Sequence, residues 1–423
     1  MTDFLPPNFP RYFTGENCPE AFARWVGSPD MRDDLRRAVA DLEAPFVVLD
    51  LDAALDNAAD LVRRASAAGR DVPVRLASKS LRIRPLMERI LALPGYRGVL
   101  SFHLSEALWL VDELTSDNVL VAYPCADRDA LARWMGEQRY LDAVTVMVDS
   151  AEHLELLDAV YDQVRPSARL RVCLDIDAGL RLGPLRIGAR RSPVHTPRQA
   201  ARMAQQILAR PHLKLVGLMA YEGQIAGTTD TSRAVAVMKK LSVRELAPRR
   251  ARILRAVREA GATEIEFING GGTGSIETTS AEDSVTEIGA GSGIIGSALF
   301  DHYASFRPRP AEWFVLPVVR RPGRRTVTVA GGGRVGSGPP GTDRLPVVDW
   351  PEGLSMARLE GPGEVQTPLT GAAAASLRLG DHVWFRAAKA GEPTEFADEV
   401  IVVSGGRIID RWPTYRGESR SFV

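Results

Sequence analysis

Apolar positions along the chain follow two patterns, which change over near residue 311. Before that point, short β-branched runs alternate with longer segments whose apolar residues recur every three or four positions. The runs are 74–78 (VRLAS), 98–103 (GVLSFH), 118–123 (NVLVAY), 143–148 (AVTVMV), 170–176 (LRVCLDI), 214–221 (KLVGLMAY), 264–269 (EIEFIN) and 285–290 (VTEIGA). Segments such as SEALWLVDEL, ADRDALARWMG, AEHLELLDAVYDQV and the arginine-studded 230–260 stretch separate them with helical spacing. Only the last connection is short and glycine-rich. A further run, Phe46 to Leu51, reads as a strand, and Leu55, Ala58, Ala59, Leu61 and Val62 then trace a helix that Gly69 stops. Eight strands with helices between them predict an α/β fold built on a parallel (β/α)8 TIM-type barrel, with a doubly wound open sheet as the alternative.

Beyond residue 311 the runs shorten and Gly, Pro and Asp break them, as in WFVLPVVRRPGRRTVTVAGGGRV, GDHVWFRAAK and DEVIVVSGGRIIDRWPTY. This predicts a C-terminal, mainly antiparallel β domain. The first 40 residues read as a proline-rich lead-in followed by a charged helix (MRDDLRRAVADLE). The division expected is 1–43, a lead-in; 44–73, a strand and helix; 74–310, the barrel; and 311–423, the β domain.

Composition narrows the function. The 423 residues are 45% hydrophobic and 25% charged, with 53 basic against 53 acidic residues, so no global basic field exists to hold nucleic acid. No apolar run is long enough for a membrane-spanning helix, and the N-terminus lacks the pattern of a signal peptide. Cys18, Cys125 and Cys173 are odd in number and in no metal-ligand spacing, which points to a reducing compartment. A cytoplasmic protein acting on a small molecule is expected.

Barrels of this class carry their chemistry at the C-terminal ends of the strands. There the sequence places Lys79, His103, Asp175, Asp177, Tyr221, Glu222 and Asn269. The strongest local signal is NGGGTGS (269–275) after the seventh strand, with GAGSG (289–293) after the eighth. Such turns let backbone N–H groups converge on a phosphate, with Thr and Ser hydroxyls as further donors. No Gly-Lys-Ser/Thr follows, so the first turn is not a Walker A loop; GSGIIG (291–296) fits a dinucleotide fingerprint in letters but not in context. A phosphate cup opposite a strand-end lysine suggests a phosphorylated aldehyde, pyridoxal 5′-phosphate, bonded to Lys79.

APFVVLDLDAALDNAADLV, VRLASKS, LDIDAGLRLG, GLMAYEGQ, NGGGTGS and TEIGAGSG, in that order, resemble the fold-type III pyridoxal-phosphate enzymes. Within them the D-threonine aldolase/D-serine dehydratase group, with its alanine-racemase-like barrel, is nearest, and the likeness runs from about residue 44 to the C-terminus. It implies that the strand in VVLDLDA joins the β domain and that Lys79 is the Schiff-base lysine. It implies a phosphate cup of Gly271, Gly272, Thr273 and Gly274 with Gly291 and Ser292, and places Tyr221 near the cofactor ring. Arg181 or Arg186 would meet the cofactor's phenolic oxygen. A homodimer is implied, with Tyr415 and Arg416 as candidates to reach a partner's site. His103 remains a candidate acid–base group.

The departures concern metal. In the resembling enzymes a histidine and a nearby cysteine or aspartate hold a divalent ion that activates the substrate's β-hydroxyl. Here the segment reads FRAAKAGEPTE, with Ala387 and Thr394 at those places, and no metal site is expected; on an extended strand His382 would face away. The expected activity is an aldolase-type lyase acting on a D- or β-hydroxy-α-amino acid without metal. A racemase or epimerase, a D-serine dehydratase-like deaminase and a non-catalytic cofactor-binding protein are the alternatives.

Overall fold

The computed structural model describes residues 29–113, 116–339 and 341–422; the expected proline-rich lead-in and Cys18 lie outside them. A helix, Pro29–Ala38, leads to β1 (Phe46–Asp50). Asp50 closes that strand and caps the next helix, Leu51–Ala65, its carboxylate accepting from Ala53 N at 2.9 Å. Then come β2 (Val74–Ala77), β3 (Tyr96–Ser101), β4 (Val119–Val121), β5 (Val144–Val148) and β6 (Leu170–Asp175). A small antiparallel hairpin follows, β7 (Leu180–Leu182) with β8 (Leu185–Ile187). The sequence reading had no element there. β9 (Leu213–Ala220), β10 (Phe267–Gly270) and β11 (Glu287–Ala290) complete the series.

β2 to β6 and β9 to β11 form a closed eight-stranded barrel in which every pairing is parallel. Ile288 to Ala290 of β11 pair with Val74 to Leu76 of β2, and this closure replaces the open-sheet alternative with the barrel. Inside, Leu120, Met147, Cys173, Val216, Met219 and Phe267 pack together as a filled core. The helix Leu51–Ala65 lies against the single-turn helices Ile276–Ser280 and Ser292–Ile295, covering the stretch where the last connections are too short to carry long helices.

The second body is a sheet of nine strands: β1 with β12 (Glu312–Gly323), β13 (Thr326–Ala330), β14 (Val347–Trp350), β15 (Leu354–Met356), β16 (Gln366–Gly371), β17 (His382–Arg386), β18 (Glu399–Ser404) and β19 (Arg407–Pro413). It is antiparallel except where β1 runs parallel to β18. The strand before the barrel is therefore a central strand of the other body, which covalently ties the two at both ends. No helix among the described residues is long and apolar enough to cross a membrane.

At the seam of the barrel sits a buried ion pair. Arg75 of β2 donates from Nε and Nη2 to the two carboxylate oxygens of Glu287 of β11, at 2.7 and 2.8 Å, and both side chains are essentially inaccessible. Asn118 Oδ1 takes a third Arg75 donor at 2.7 Å, while Asn269 Nδ2 of β10 donates to Glu287 at 2.8 Å. Removing one member leaves the other charge buried alone, so Glu287→Gln should lower stability by about 3–5 kcal/mol in urea unfolding. A loss below about 1 kcal/mol would show that the seam does not depend on the pair.

Candidate active site at the barrel mouth

β2 ends at Ala77, and the chain turns through one 3-10 turn, Ser78–Ser80, that presents Lys79 to solvent between two buried serines. Its Nζ donates to Tyr123 Oη at 3.4 Å. Tyr123 stands just past β4, and the guanidinium of Arg191 lies 5.5 Å from its ring centre. Burial pushes the Tyr123 phenol up, but the Lys79 and Arg191 cations outweigh it and hold the phenol below its usual range. At the end of β6, Asp175 feels burial first and then the neighbouring Asp149, and its carboxyl is pushed up to about 7 despite Arg191.

Below the Lys79 turn, Glu106 is wholly buried and accepts from Ser101 Oγ (2.6 Å), Phe102 N (2.8 Å) and Tyr415 Oη (2.8 Å). Burial raises this carboxyl, and its hydrogen bonds counter the rise. Tyr415 thus points into its own chain, against Met87 and Trp109, which rules it out as a residue reaching a partner's site; exposed Arg416 pairs with Asp398 at 3.0 Å.

The two glycine turns meet. Thr273 Oγ1 and Ser292 Oγ lie 3.1 Å apart, and Gly293 N donates to Thr273 Oγ1 at 3.0 Å. Glu222, fully buried after β9, holds the first turn from beneath by accepting from Gly271 N (3.2 Å), Ser275 Oγ (2.8 Å), Thr279 Oγ1 and Arg250 Nη2 (3.1 Å). Gly271 takes a positive φ of 81° to make the turn. A Cβ at Gly274 would meet Ala226 O at 2.4 Å, and one at Gly291 would meet Ala77 O at 2.6 Å, so neither turn could keep its place with a side chain there. Tyr221 borders it: a Cβ at Gly272 would lie 3.1 Å from its ring, and burial, then Glu222, raises its phenol to about 12.

The remaining sequence candidates make other contacts. Arg181 and Arg186 face each other across the β7–β8 hairpin, Arg181 tied to Asp177 at 2.5 Å and Arg186 exposed. The arginine beside Tyr123 is Arg191, which sequence spacing did not single out. Asp177 itself is held down at about 2: burial opposes this, but His195, Arg181 and Gly179 N prevail. His103 Nδ1 accepts from Ser105 N at 3.2 Å, at the start of the helix Leu104–Glu113. His382 bonds Leu42 O at 2.9 Å and packs on Phe46, within the sheet. Ala387 O accepts from Ala298 N at 2.9 Å and Thr394 Oγ1 donates to Gly391 O at 2.6 Å. Among the described residues no group of three or more His, Cys, Asp or Glu lies close enough to hold a metal ion.

The model of the family described as "Alanine racemase, N-terminal domain" matches residues 49–298. A D-threonine aldolase of Arthrobacter sp is 28% identical over 254 residues, 60% of this chain and 61% of that enzyme, so the match spans about three-fifths of the relative's length. Among solved structures, D-threonine aldolase from Filomicrobium marinum superposes with a TM-score of 0.75 at 24% identity, covering 90% of this chain and 96% of that one. D-threo-3-hydroxyaspartate dehydratase from Delftia sp. HT23 gives 0.66 at 21%, covering 89% and 98%. At these identities the structures establish the shared fold.

The raised Asp175 carboxyl makes a pH prediction. Between its ordinary value of 3.8 and about 7 the folded protein keeps a proton that the unfolded chain has released, so wild-type stability falls as pH rises through that interval. Asp175→Asn removes this loss. Its stability relative to wild type should rise between about pH 4 and about pH 7 and stay level above, as read by urea midpoints. A difference that does not change with pH would show that Asp175 ionises freely.

Proposed function

The chain belongs to the alanine racemase N-terminal domain family, and from that premise we propose that it is a pyridoxal 5′-phosphate-dependent, aldolase-type lyase acting at Cα–Cβ of a D- or β-hydroxy-α-amino acid. One observation carries the reading: an exposed strand-end lysine, Lys79, and a closed cup of glycine and hydroxyl groups stand on adjoining strands, β2 and β11, of one barrel mouth. The similarity to D-threonine aldolase supports the aldolase arm.

The residues fit the cofactor. The cup offers the Thr273 and Ser292 hydroxyls beside the turn amides of Thr273 and Gly274, while the Gly271 and Gly272 amides brace the turn on Glu222 and Ser275. Lys79 supplies the amine, and Tyr221 walls the space between. When bound, pyridoxal 5′-phosphate supplies an electron sink for the bond broken at Cα. Arg191, which lies against Tyr123 beside Lys79, would hold that ring's polar edge in place of Arg181 or Arg186. Tyr123 Oη, 3.4 Å from Lys79 Nζ and acidified by two cations, takes and returns the proton that Lys79 must gain or lose. The same phenol oxygen would serve as the base for a β-hydroxyl.

Metal assistance fits poorly. Alanine ligates nothing, and the Thr394 hydroxyl is spent on Gly391 O. Loss of hydroxide from Cβ needs an acid or a cation on the leaving oxygen, whereas retro-aldol cleavage needs only a base on the hydroxyl. The residues therefore favour cleavage over dehydration. We read the protein as a homodimer on the same family grounds.

Purified protein supplied with pyridoxal 5′-phosphate should show a violet absorbance band that borohydride removes and that Lys79→Ala lacks, and the variant should lose about 10³-fold or more in turnover. Wild type should release an aldehyde and glycine from a β-hydroxy-D-amino acid, unaffected by a chelator. A band without turnover of any amino acid would leave a binding protein, and activity restored to chelated enzyme by zinc or manganese would overturn the metal-free arm.

A further inference from the structure

The loop after β17 folds back over the barrel mouth. Ala298 N and Leu299 N, just beyond the barrel, donate to Ala387 O and Ala388 O at 2.9 and 3.1 Å. Gly391, at φ +88°, packs so tightly on the Lys79 turn that a Cβ there would stand 2.0 Å from Lys79 O. Between these two anchors the loop carries Lys389, half-buried and without a hydrogen bond or ion pair to any described residue.

Arg344 arrives from the loop between β13 and β14. Gly336 joins the two residues: its N–H donates to Arg344 O at 2.7 Å, and a Cβ on it would lie 3.4 Å from Lys389 Cγ. The Arg344 side chain is only 12% exposed, and its Nε and Nη1 are buried without a hydrogen-bonding partner; Nη1 sits 3.2 Å from the Asp343 carboxylate but outside hydrogen-bonding geometry. Of the nearby carboxylates, Asp343 is exposed, and Glu392 already accepts from Ser337 N at 2.9 Å and Oγ at 2.6 Å. Burial and then the charge of Arg344 lower the Lys389 pKa, with Lys79 adding to them and Glu392 and Asp343 opposing, so three cations stand within electrostatic reach of two carboxylates.

Buried or half-buried donors with no acceptor are costly, and three cations beside two carboxylates leave one positive charge unmatched. A carboxylate is the ligand that satisfies both, since it accepts from a guanidinium edge and from an ammonium together. We propose that Lys389 and Arg344 form a carboxylate subsite above Lys79 that binds a carboxylate of the amino-acid substrate. The substrate part rests on the function proposed above; the anion site itself does not.

Two measurements test it on cofactor-treated protein. Calorimetric titration with malonate should show binding to wild type, weakened about tenfold or more in Lys389→Met and in Arg344→Met, with Lys389→Arg keeping most of it. In steady-state kinetics the same variants should raise KM. A rise for D-threonine and D-3-hydroxyaspartate alike assigns the subsite to the α-carboxylate, and a rise for the dicarboxylic substrate alone assigns it to the distal one. Malonate affinity and KM unchanged in both variants, with the absorbance band intact, would overturn the subsite. Should wild type turn over neither amino acid, the proposed function fails, while the malonate titration still decides the subsite.

Discussion

A closed barrel of parallel strands has one place where its last strand must find its first, and here two buried charges mark it. Arg75 and Glu287 lie on β2 and β11, and their fork-to-fork geometry tolerates little sliding of one strand along the other. An apolar pair there would allow neighbouring registers of similar energy, because Val, Ile and Leu pack adequately in several. Asn269 carries the same network to neighbouring β10, and Asn118 carries it past β3 to the start of β4. The register matters for chemistry, because Lys79 follows β2 and the second glycine turn follows β11. A shift of one residue would move the amine relative to the cup by a strand rise of about 3.3 Å.

The sheet body contributes as much to the mouth as the barrel does. β1 sits in that sheet and feeds directly into the helix Leu51–Ala65, whose Arg64 reaches Thr273 O at 2.7 Å and pairs with Glu277 at 2.6 Å. From the other end of the chain, Tyr415 fastens Glu106 beneath the Lys79 turn, and Gly391 packs on the turn's carbonyl. One segment therefore braces the glycine turn, and two others far along the chain hold the lysine in place. Such convergence is how a scaffold keeps a reactive side chain oriented although the side chain itself is exposed.

How much of this could be read from the residues depended on what each signal measures. Barrel strands announce themselves as continuous β-branched runs because both faces are buried, and glycine clusters mark turns that backbone groups alone can fill. Lys79 was legible because a charge ends an apolar run. The arginine was harder to read: the resemblance offered Arg181 or Arg186 and spacing did not decide between them, because the β7–β8 hairpin pairs the two and brings a third, Arg191, against Tyr123. Three-residue strands leave too short a pattern to see. His103 was placed at a strand end, but β3 stops at Ser101 and the ring turns to the following helix's first N–H groups. Tyr123 gave no signal, since an aromatic after a strand is ordinarily core.

A fixed ammonium and guanidinium do different work from a divalent ion. Lys389 and Arg344 can anchor an anion and orient a substrate, but neither draws an oxygen lone pair into a bond, so neither turns hydroxide into an easy leaving group. What the mouth does offer a β-hydroxyl is Tyr123, an oxygen base whose proton two neighbouring cations make easier to release. Oxygen bases deprotonate hydroxyls; they do not help them depart. The charge arrangement around Lys79 thus favours breaking the Cα–Cβ bond over the Cβ–O bond, and it does so through residues drawn from the barrel and the sheet together.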